Sequence, residues 1–272
     1  MKVSIITVCL NSEKTIRDTI ASVLSQDFPN IEYIIIDGGS KDKTLSIVHE
    51  YEDRIEKIIN EPDEGLYDAM NKGINIASGE VIGILNSDDF FENDNIINVV
   101  VNAFEKNPTV DLVFGDLVYV RPNNLDQIIR YYSSLNFRSW KPRFGWIPPH
   151  PSTFMKRSVY EKFGVYNVSF KIAADYEFFV RVLQVHKLSF YQIPKVLVRM
   201  RIGGVSTSGF RNSYRLTQEI VKACKLNGIY TNLFFVLTKI PFKLSSEAFL
   251  IILFTASFEV CFSVTMVRST ND

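Results

Sequence analysis

The sequence predicts an α/β fold, a mostly parallel sheet flanked by helices with a C-terminal helical extension. Three observations lead there. Short β-branched runs alternate with segments of helical periodicity, the links between them are short, and the reactive polar side chains cluster where the apolar runs end. Sheets of this kind bind ligands beyond the carboxyl ends of their strands. Those ends are therefore where a site is expected.

The elements follow in order. "VSIITVCL" (3–10) has the pattern of a buried strand and meets Asn11-Ser12, residues suited to capping a helix. Ile16, Ile20, Val23 and Leu24 then recur at helical spacing, and the stripe stops before Pro29. "IEYIIID" (31–37) is a second strand, and "GGSKDKTLSIVHEY" supplies a turn and a helix. "IEKIIN" (55–60), the helical "GLYDAMNKGINIA" (65–77) and the strand "EVIGIL" (80–85) repeat the theme. After about residue 115 the rhythm changes to short strands, an aromatic loop at 131–149 and a helix at 173–186. The expected division is a domain over 1–210, in halves 1–115 and 116–210, and an extension over 211–272.

Bulk properties exclude several classes. Thirty basic and 30 acidic residues balance to zero, so the chain lacks the electrostatic footprint of a nucleic-acid binder. Cys9, Cys224 and Cys261 are far apart, which argues against a disulfide framework and against thiolate metal ligation. Neither a G-x-G-x-x-G after the first strand nor a G-x-x-x-x-G-K-[ST] is present, so dinucleotide oxidoreductases and P-loop enzymes are poor fits. The opening "MKVSIITVCLNSE" carries one Lys and a short apolar run, unlike a signal peptide, and the domain is expected in the cytoplasm.

The charge balance conceals a gradient. Between Lys187 and Lys243 ten basic residues face one acid, Glu219. Beyond them, 244–267 is apolar except for Glu247 and Glu259, which make an isolated membrane span costly. With the amphipathic "YTNLFFVLTKIPFKL" (230–244) alongside, peripheral attachment to the inner face of the cell membrane is expected.

The chemistry concentrates in a few places. In "ILNSDD" (84–89) a strand runs into an amide, a hydroxyl and two adjacent carboxylates. Such carboxylates repel unless a cation or a hydrogen-bond network offsets them, so the stretch is a candidate metal site. Asp37, in "DGGSKDKT", could accept from a nucleobase N–H or simply cap a turn. Asp175, ahead of "YEFFVRVL", is placed as a helix cap by spacing. His150, after Pro148-Pro149, reads by itself as a structural loop residue, and His49 and His186 as surface residues. Arg199, Arg201 and "GGVS" (203–206) form either a lid over phosphates or a solvated strand edge. Tyr131, Tyr132, Phe137, Trp140, Phe144 and Trp146 either stack on sugar faces or pack the domain.

Taken together, "SIITVCLNSEKTIRDTIASVLSQDFPNIEYIIIDGGSKDKT", "DEGLYDAMNKGINIASGEVIGILNSDD", "HPSTFMKR" and "AADYEFFVRV" resemble the bacterial family 2 glycosyltransferases of the GT-A fold, in register from residue 3 to about 206. The resemblance implies inverting, metal-dependent transfer of a sugar from a nucleoside diphosphate donor, expected to be a UDP-sugar. The acceptor it implies is a saccharide, expected to be lipid-linked, in cell-surface polysaccharide assembly of the O-antigen kind.

By the same resemblance Thr7 and Asp37 hold the nucleoside, with Asp68 and Lys72 as the next contacts. Asn86-Ser87-Asp88 matches the motif that holds Mn²⁺ or Mg²⁺, with Asp88 as the direct ligand and Ser87 in donor binding. Many relatives carry Asp where Asn86 stands, so one ligand here is neutral, and Asp89 holds the loop or touches the sugar. His150 and Arg199 belong near the diphosphate, and Asp175 is the base, with Glu177 in reserve. Two rivals stand beside this reading. A sugar nucleotidyltransferase would open on a Gly-rich loop with an Arg/Lys pair, where this chain has "CLNSEKT". A catalytically inactive, membrane-associated adaptor of the same fold is favoured only by Asn86.

Overall fold

The computed structural model describes residues 1–203 and 209–238. The apolar stretch 244–267, Cys261 and most of the "GGVS" turn lie outside the described residues.

The first half of the chain folds as the alternation predicts. Strands β1 (Val3–Cys9), β2 (Ile31–Asp37), β3 (Lys57–Asn60) and β4 (Val81–Ile84) run parallel in the order β3-β2-β1-β4. Helices α1 (Ile16–Leu24), α2 (Thr44–His49) and α3 (Leu66–Ile76) connect them. β1 is buried along its whole length, which is why it reads as a continuous apolar run. Its residues alternate between two cores, Val3 and Ile5 on one face of the sheet, Ile6 and Val8 on the other. Gly73 lets α3 lie close on the second face, since a Cβ there would meet the Ile6 side chain at 2.4 Å.

Beyond β4 the sheet becomes mixed. The short β5 (Asp89–Phe91), the long hairpin β6 (Leu112–Arg121) and β7 (Asn124–Tyr132), then β8 (Thr153–Lys156) and β9 (Phe190–Arg201) extend it as β4-β8-β6-β9-β5, with β7 on β6. β8 runs antiparallel to both its neighbours, and β9 parallel to β6 but antiparallel to β5. α4 (Ile96–Lys106), α5 (Arg157–Phe163) and α6 (Ala174–Phe179) cover the faces, and α6 continues as a π-helical turn over Val180–Val185. Wide turns of this kind recur at functional sites.

The C-terminal helices α7 (Gly209–Leu226) and α8 (Leu233–Leu237) depart from the expected division. Ile220, Ala223, Cys224 and Val236 are buried in the same core as α6, so residues up to 238 belong to the main body rather than to a separate extension. Cys9 and Cys224 are buried free thiols. Among the described residues no helix is long and apolar enough to cross a membrane.

One buried charge sets the acid stability. Glu32 in β2 is 1% exposed and opposes Ser4 of β1, and its carboxylate accepts from the Ser4 hydroxyl. It also accepts from Ser78 N and Oγ, both at 2.7 Å, and from Lys57 Nζ at 3.3 Å. Burial by itself would push the carboxyl up, but these hydrogen bonds outweigh it and hold the pKa at about 2, below its ordinary 4.5. A depressed folded-state pKa adds stability that is complete above the unfolded pKa and is lost as pH falls from there through the folded value. The full linkage is about 3 kcal/mol. Urea midpoints are expected to drop between pH 5 and pH 3 in the wild type and to drop less in Glu32→Gln. An identical pH dependence in the two proteins would overturn the assignment.

Candidate active site

A cleft of about 830 Å³ opens at the carboxyl ends of β1 and β4, where the alternation places a site. Its floor is the loop after β1, from Leu10 to Thr15, and the loop after β4, Asn86 to Asp88. The Ser12 and Ser87 hydroxyls share a hydrogen bond at 2.8 Å, which joins these two loops. A second joint ties the β1 loop to the β2 loop. Asn11 holds a left-handed backbone (φ 50°), and its side chain accepts from Lys41 N at 2.8 Å while its own N–H donates to Ser40 Oγ at 2.8 Å.

Asp88 stands on the lining, half-buried, and burial raises its pKa. Asp89, fully buried, is pushed up further by burial and by the Asp88 charge, and Asn86 Nδ2 donates to its Oδ2 at 3.3 Å. Asn86 Oδ1 and Asp89 Oδ1 are buried without a hydrogen-bond partner. From behind, Arg201 donates to the Asp88 carbonyl oxygen at 2.7 Å and pairs with Asp18, which sets the loop's backbone.

Asp175, near the start of α6, stands on the same lining. Tyr67 of α3 places its hydroxyl within reach of both Asp175 Oδ1 (2.9 Å) and the Ile172 carbonyl oxygen (2.7 Å). Asp175 Oδ2 has no hydrogen-bond partner among the described residues. The turn leading into α6 is held by Glu219 of α7. Its carboxylate accepts from three consecutive backbone N–H groups, Lys171 (3.1 Å), Ile172 (2.9 Å) and Ala173 (3.0 Å). His150 also lines the cleft, its Nε2 2.8 Å from the Tyr166 hydroxyl, and burial lowers its pKa against the opposing pull of Asp175.

The structure thus gathers Ser87, Asp88, His150 and Asp175 around one cleft. The other expected donor contacts are engaged elsewhere. Thr7 is fully buried because its place in β1 puts it on the face of Val3 and Ile5, where its hydroxyl accepts from Tyr33 at 3.1 Å. Asp37 is buried too, its carboxylate closing the turn through Gly39 N, Ser40 N and Ser40 Oγ. Asp68 and Lys72 sit on the flank of α3 and fasten the 61–64 loop: Lys72 donates to Pro62 O (2.8 Å) and pairs with Glu61 (3.0 Å), and Asp68 accepts from Glu64 N. Arg199 is drawn off by strand alternation. Met200 lines the cleft, so Arg199 takes the other face and binds Glu92 through both carboxylate oxygens at 2.7 and 2.8 Å.

Glu177 is unavailable as a reserve base: it is buried, with Arg181 at 2.9 Å and Asn227 at 3.0 Å. The six aromatics of the 131–149 loop do not line the cleft, and Phe137 is in the core against Phe114 and Phe190. What the sequence reading missed is Tyr67, Asp63, Asp42, Lys14 and Lys171, all on the lining. Tyr67 stands beside Asp68 in the motif that drew notice, and one step along a helix turns a side chain by about 100°.

The oxygen donors fit a divalent cation. Among the described residues no three His, Cys, Asp or Glu side chains gather as a closed metal site. An Asp88 carboxylate beside an unpartnered Asn86 amide oxygen is instead an open, all-oxygen set, of the kind Mg²⁺ and Mn²⁺ occupy when phosphates complete the shell.

Comparison with known proteins bears on the family and the fold. A glycosyltransferase of Mycobacterium tuberculosis, named as uncharacterized, is 34% identical over 182 residues, which cover 66% of this chain and 68% of that one. A PGL/p-HBAD biosynthesis glycosyltransferase of Mycobacterium bovis is 30% identical over 189 residues, covering 65% and 68%. Staphylococcus aureus TarS 1-349 in complex with UDP-GlcNAc superposes with a TM-score of 0.63 at 20% identity, over 82% of this chain and 66% of that one. The mannosyltransferase PcManGT of Pyrobaculum calidifontis, in complex with GDP-Man and Mn²⁺, gives 0.63 at 18% identity over 99% and 81%. At those identities the structural likeness shows the fold, which is GT-A, its curled mixed sheet flanked by helices. Residues 4–166, more than half of the chain, match the family described as Glycosyl transferase family 2, and the chain belongs to that family.

Proposed function

We propose that this protein is an inverting glycosyltransferase that moves a sugar from a nucleoside diphosphate donor, UDP-linked by preference, to a saccharide acceptor carried on a lipid. The observation that carries the reading is that Asp88 and Asp175 line one cleft and that, among the described residues, each keeps carboxylate oxygen without a hydrogen-bond partner. Inversion needs two such groups, one for the departing diphosphate and one for the incoming hydroxyl.

In the proposed reaction Asp175 Oδ2 takes the proton of the acceptor hydroxyl as its oxygen bonds to the anomeric carbon. The bond from that carbon to the diphosphate oxygen breaks on the opposite side, and the nucleoside diphosphate leaves with the electron pair. Tyr67, bonded to Oδ1, fixes the carboxylate so that Oδ2 is the basic atom. Lys14 and Lys171 are the lysines of the lining and supply positive charge to the diphosphate. A divalent cation held by Asp88 with Asn86 and Ser87 would neutralise charge on the departing group. The neutral imidazole of His150 offers a hydrogen bond rather than charge.

The reading extends to place. Cell-surface polysaccharide assembly at the inner face of the membrane suits a lipid-carried acceptor, and the basic residues between Lys187 and Lys243 suit an anionic leaflet. Incubation with a panel of UDP-, GDP- and dTDP-sugars, with release of free nucleotide as readout, tests the activity. Release from one donor is expected to exceed the rest, and release from none would support the inactive adaptor.

Glu219 enters as a positioning residue. Without its carboxylate the 171–173 backbone loses three acceptors and Asp175 loses its fixed approach. Glu219→Ala is expected to lower kcat by about tenfold to a hundredfold with donor KM nearly unchanged, and Glu219→Gln to recover part of the loss. Equal losses in donor affinity and kcat would show that Glu219 only holds the fold together.

A further inference from the structure

An exposed aromatic surface lies away from the cleft and belongs to two separate parts of the chain. Trp140, Tyr230 and Phe234 are 56%, 67% and 73% exposed, values that ordinary packing does not leave on side chains of this size. Trp140 and Tyr230 are joined by a continuous set of rings, and Phe234 neighbours one of them, Phe235, in α8. Trp140 meets Phe144 at 5.7 Å, Phe144 stacks on Phe235 at 5.1 Å, and Phe235 meets Tyr230 at 6.1 Å. Backbone contacts lock the two parts together: Arg143 Nη2 donates to Tyr230 O at 3.1 Å, and Thr231 Oγ1 donates to Arg143 O at 2.5 Å.

Charge accompanies the rings with one sign. Arg138, Lys141 and Arg143 stand among them, Lys141 Nζ lies 5.9 Å from the Trp140 ring centre, and Lys222 and Lys225 precede α8. No Asp or Glu occurs from residue 127 to 160 or from 220 to 238. Exposed aromatics ringed by cations without acids are the composition that enters a headgroup region, with Trp and Tyr at the boundary and long basic side chains reaching outward.

The surface is also tied to the chemistry. The Tyr176 hydroxyl donates to the Pro142 carbonyl oxygen, and Tyr176 is the neighbour of Asp175 on α6.

We infer that the face built from the 138–144 loop, Tyr230 and α8 docks on an anionic phospholipid bilayer and so holds the Asp175 end of the cleft to the lipid surface. The inference rests on the peripheral attachment proposed above and assigns it to residues of the folded body, in the 138–144 loop about halfway along the chain as well as at 230–237.

The test uses the full chain with phosphatidylcholine vesicles with and without phosphatidylglycerol. In Trp146→Phe the sole tryptophan is Trp140, because the chain has two. Its emission is expected to shift to the blue and to be quenched by brominated lipid in the anionic vesicles. Two further variants, Trp140→Ser/Phe234→Ser and Arg138→Glu/Lys141→Glu, are each expected to lose about tenfold or more in partition while releasing nucleotide from the donor at the wild-type rate. An unquenched Trp140, or wild-type partition in both double variants, would overturn the inference. So would light scattering that shows a dimer dependent on Trp140 and Phe234, which would make the face a contact between copies. Vesicle binding without donor turnover in any form would leave the docking face standing and remove the enzymatic reading instead.

Discussion

Asp175→Asn is expected to slow sugar transfer by about 10² to 10⁴ at saturating donor while donor affinity stays within about twofold of the wild type. The amide keeps the oxygen that Tyr67 bonds, so the fold around α6 is retained. What disappears is the basic lone pair that, in the proposed reaction, takes the proton of the acceptor hydroxyl. Donor titration by calorimetry, beside transfer rates with a matching acceptor, separates the two effects. Near wild-type transfer would reduce Asp175 to a residue of the helix start. Glu177, two positions on, is not free to take over, because it is held by Arg181 and Asn227.

Asp88→Asn is expected to fail in a different way. Its side chain is half-buried, its carbonyl oxygen is already fixed by Arg201, and the substitution leaves that contact intact. Metal-dependent donor binding is expected to weaken by about tenfold or more, and excess chelator to abolish transfer in the wild type until Mn²⁺ or Mg²⁺ is added. Full turnover in excess chelator would remove the cation from the proposal. The companion variant is Asn86→Asp. Asn86 now donates to Asp89, and a carboxylate in its place adds a third negative group beside Asp88 and Asp89. The metal-free variant is expected to have a lower Tm than the wild type, and added Mn²⁺ to raise its Tm more. A Tm unmoved by Mn²⁺ in both proteins would mean that these oxygens do not hold the ion.

The resemblance named segments, and at several of them the structure engages the named side chain elsewhere. Thr7, Asp68, Lys72 and Arg199 lie on elements that border the cleft, and Asp37 ends β2 just ahead of the loop that carries Asp42 to it, but each is bound elsewhere. A motif specifies a segment. Which residue of the segment meets the cleft depends on strand parity or on the helical turn, and here Met200 and Tyr67 take the places beside Arg199 and Asp68. Asp63 and Asp42 gave no signal because single carboxylates in polar loops are ordinary, and only the return of both loops to one side of the sheet brings them to the lining.

The sequence by itself determined the parallel half of the sheet, the boundaries of most of its strands and helices to within a residue or two, and the Asn-Ser-Asp-Asp turn as a polar strand end, which the structure sets on the cleft. Those are local properties, set by β-branched runs, helical stripes and the repulsion of adjacent carboxylates. The tertiary structure decided the antiparallel insertion of β8 between β4 and β6, and the union of α7 and α8 with the main core. It also decided the delivery of Glu219 to the backbone ahead of Asp175, across 46 positions of sequence. Such pairings join distant segments whose burial and hydrogen bonds stabilise them only together, so no window of neighbouring residues carries their signal.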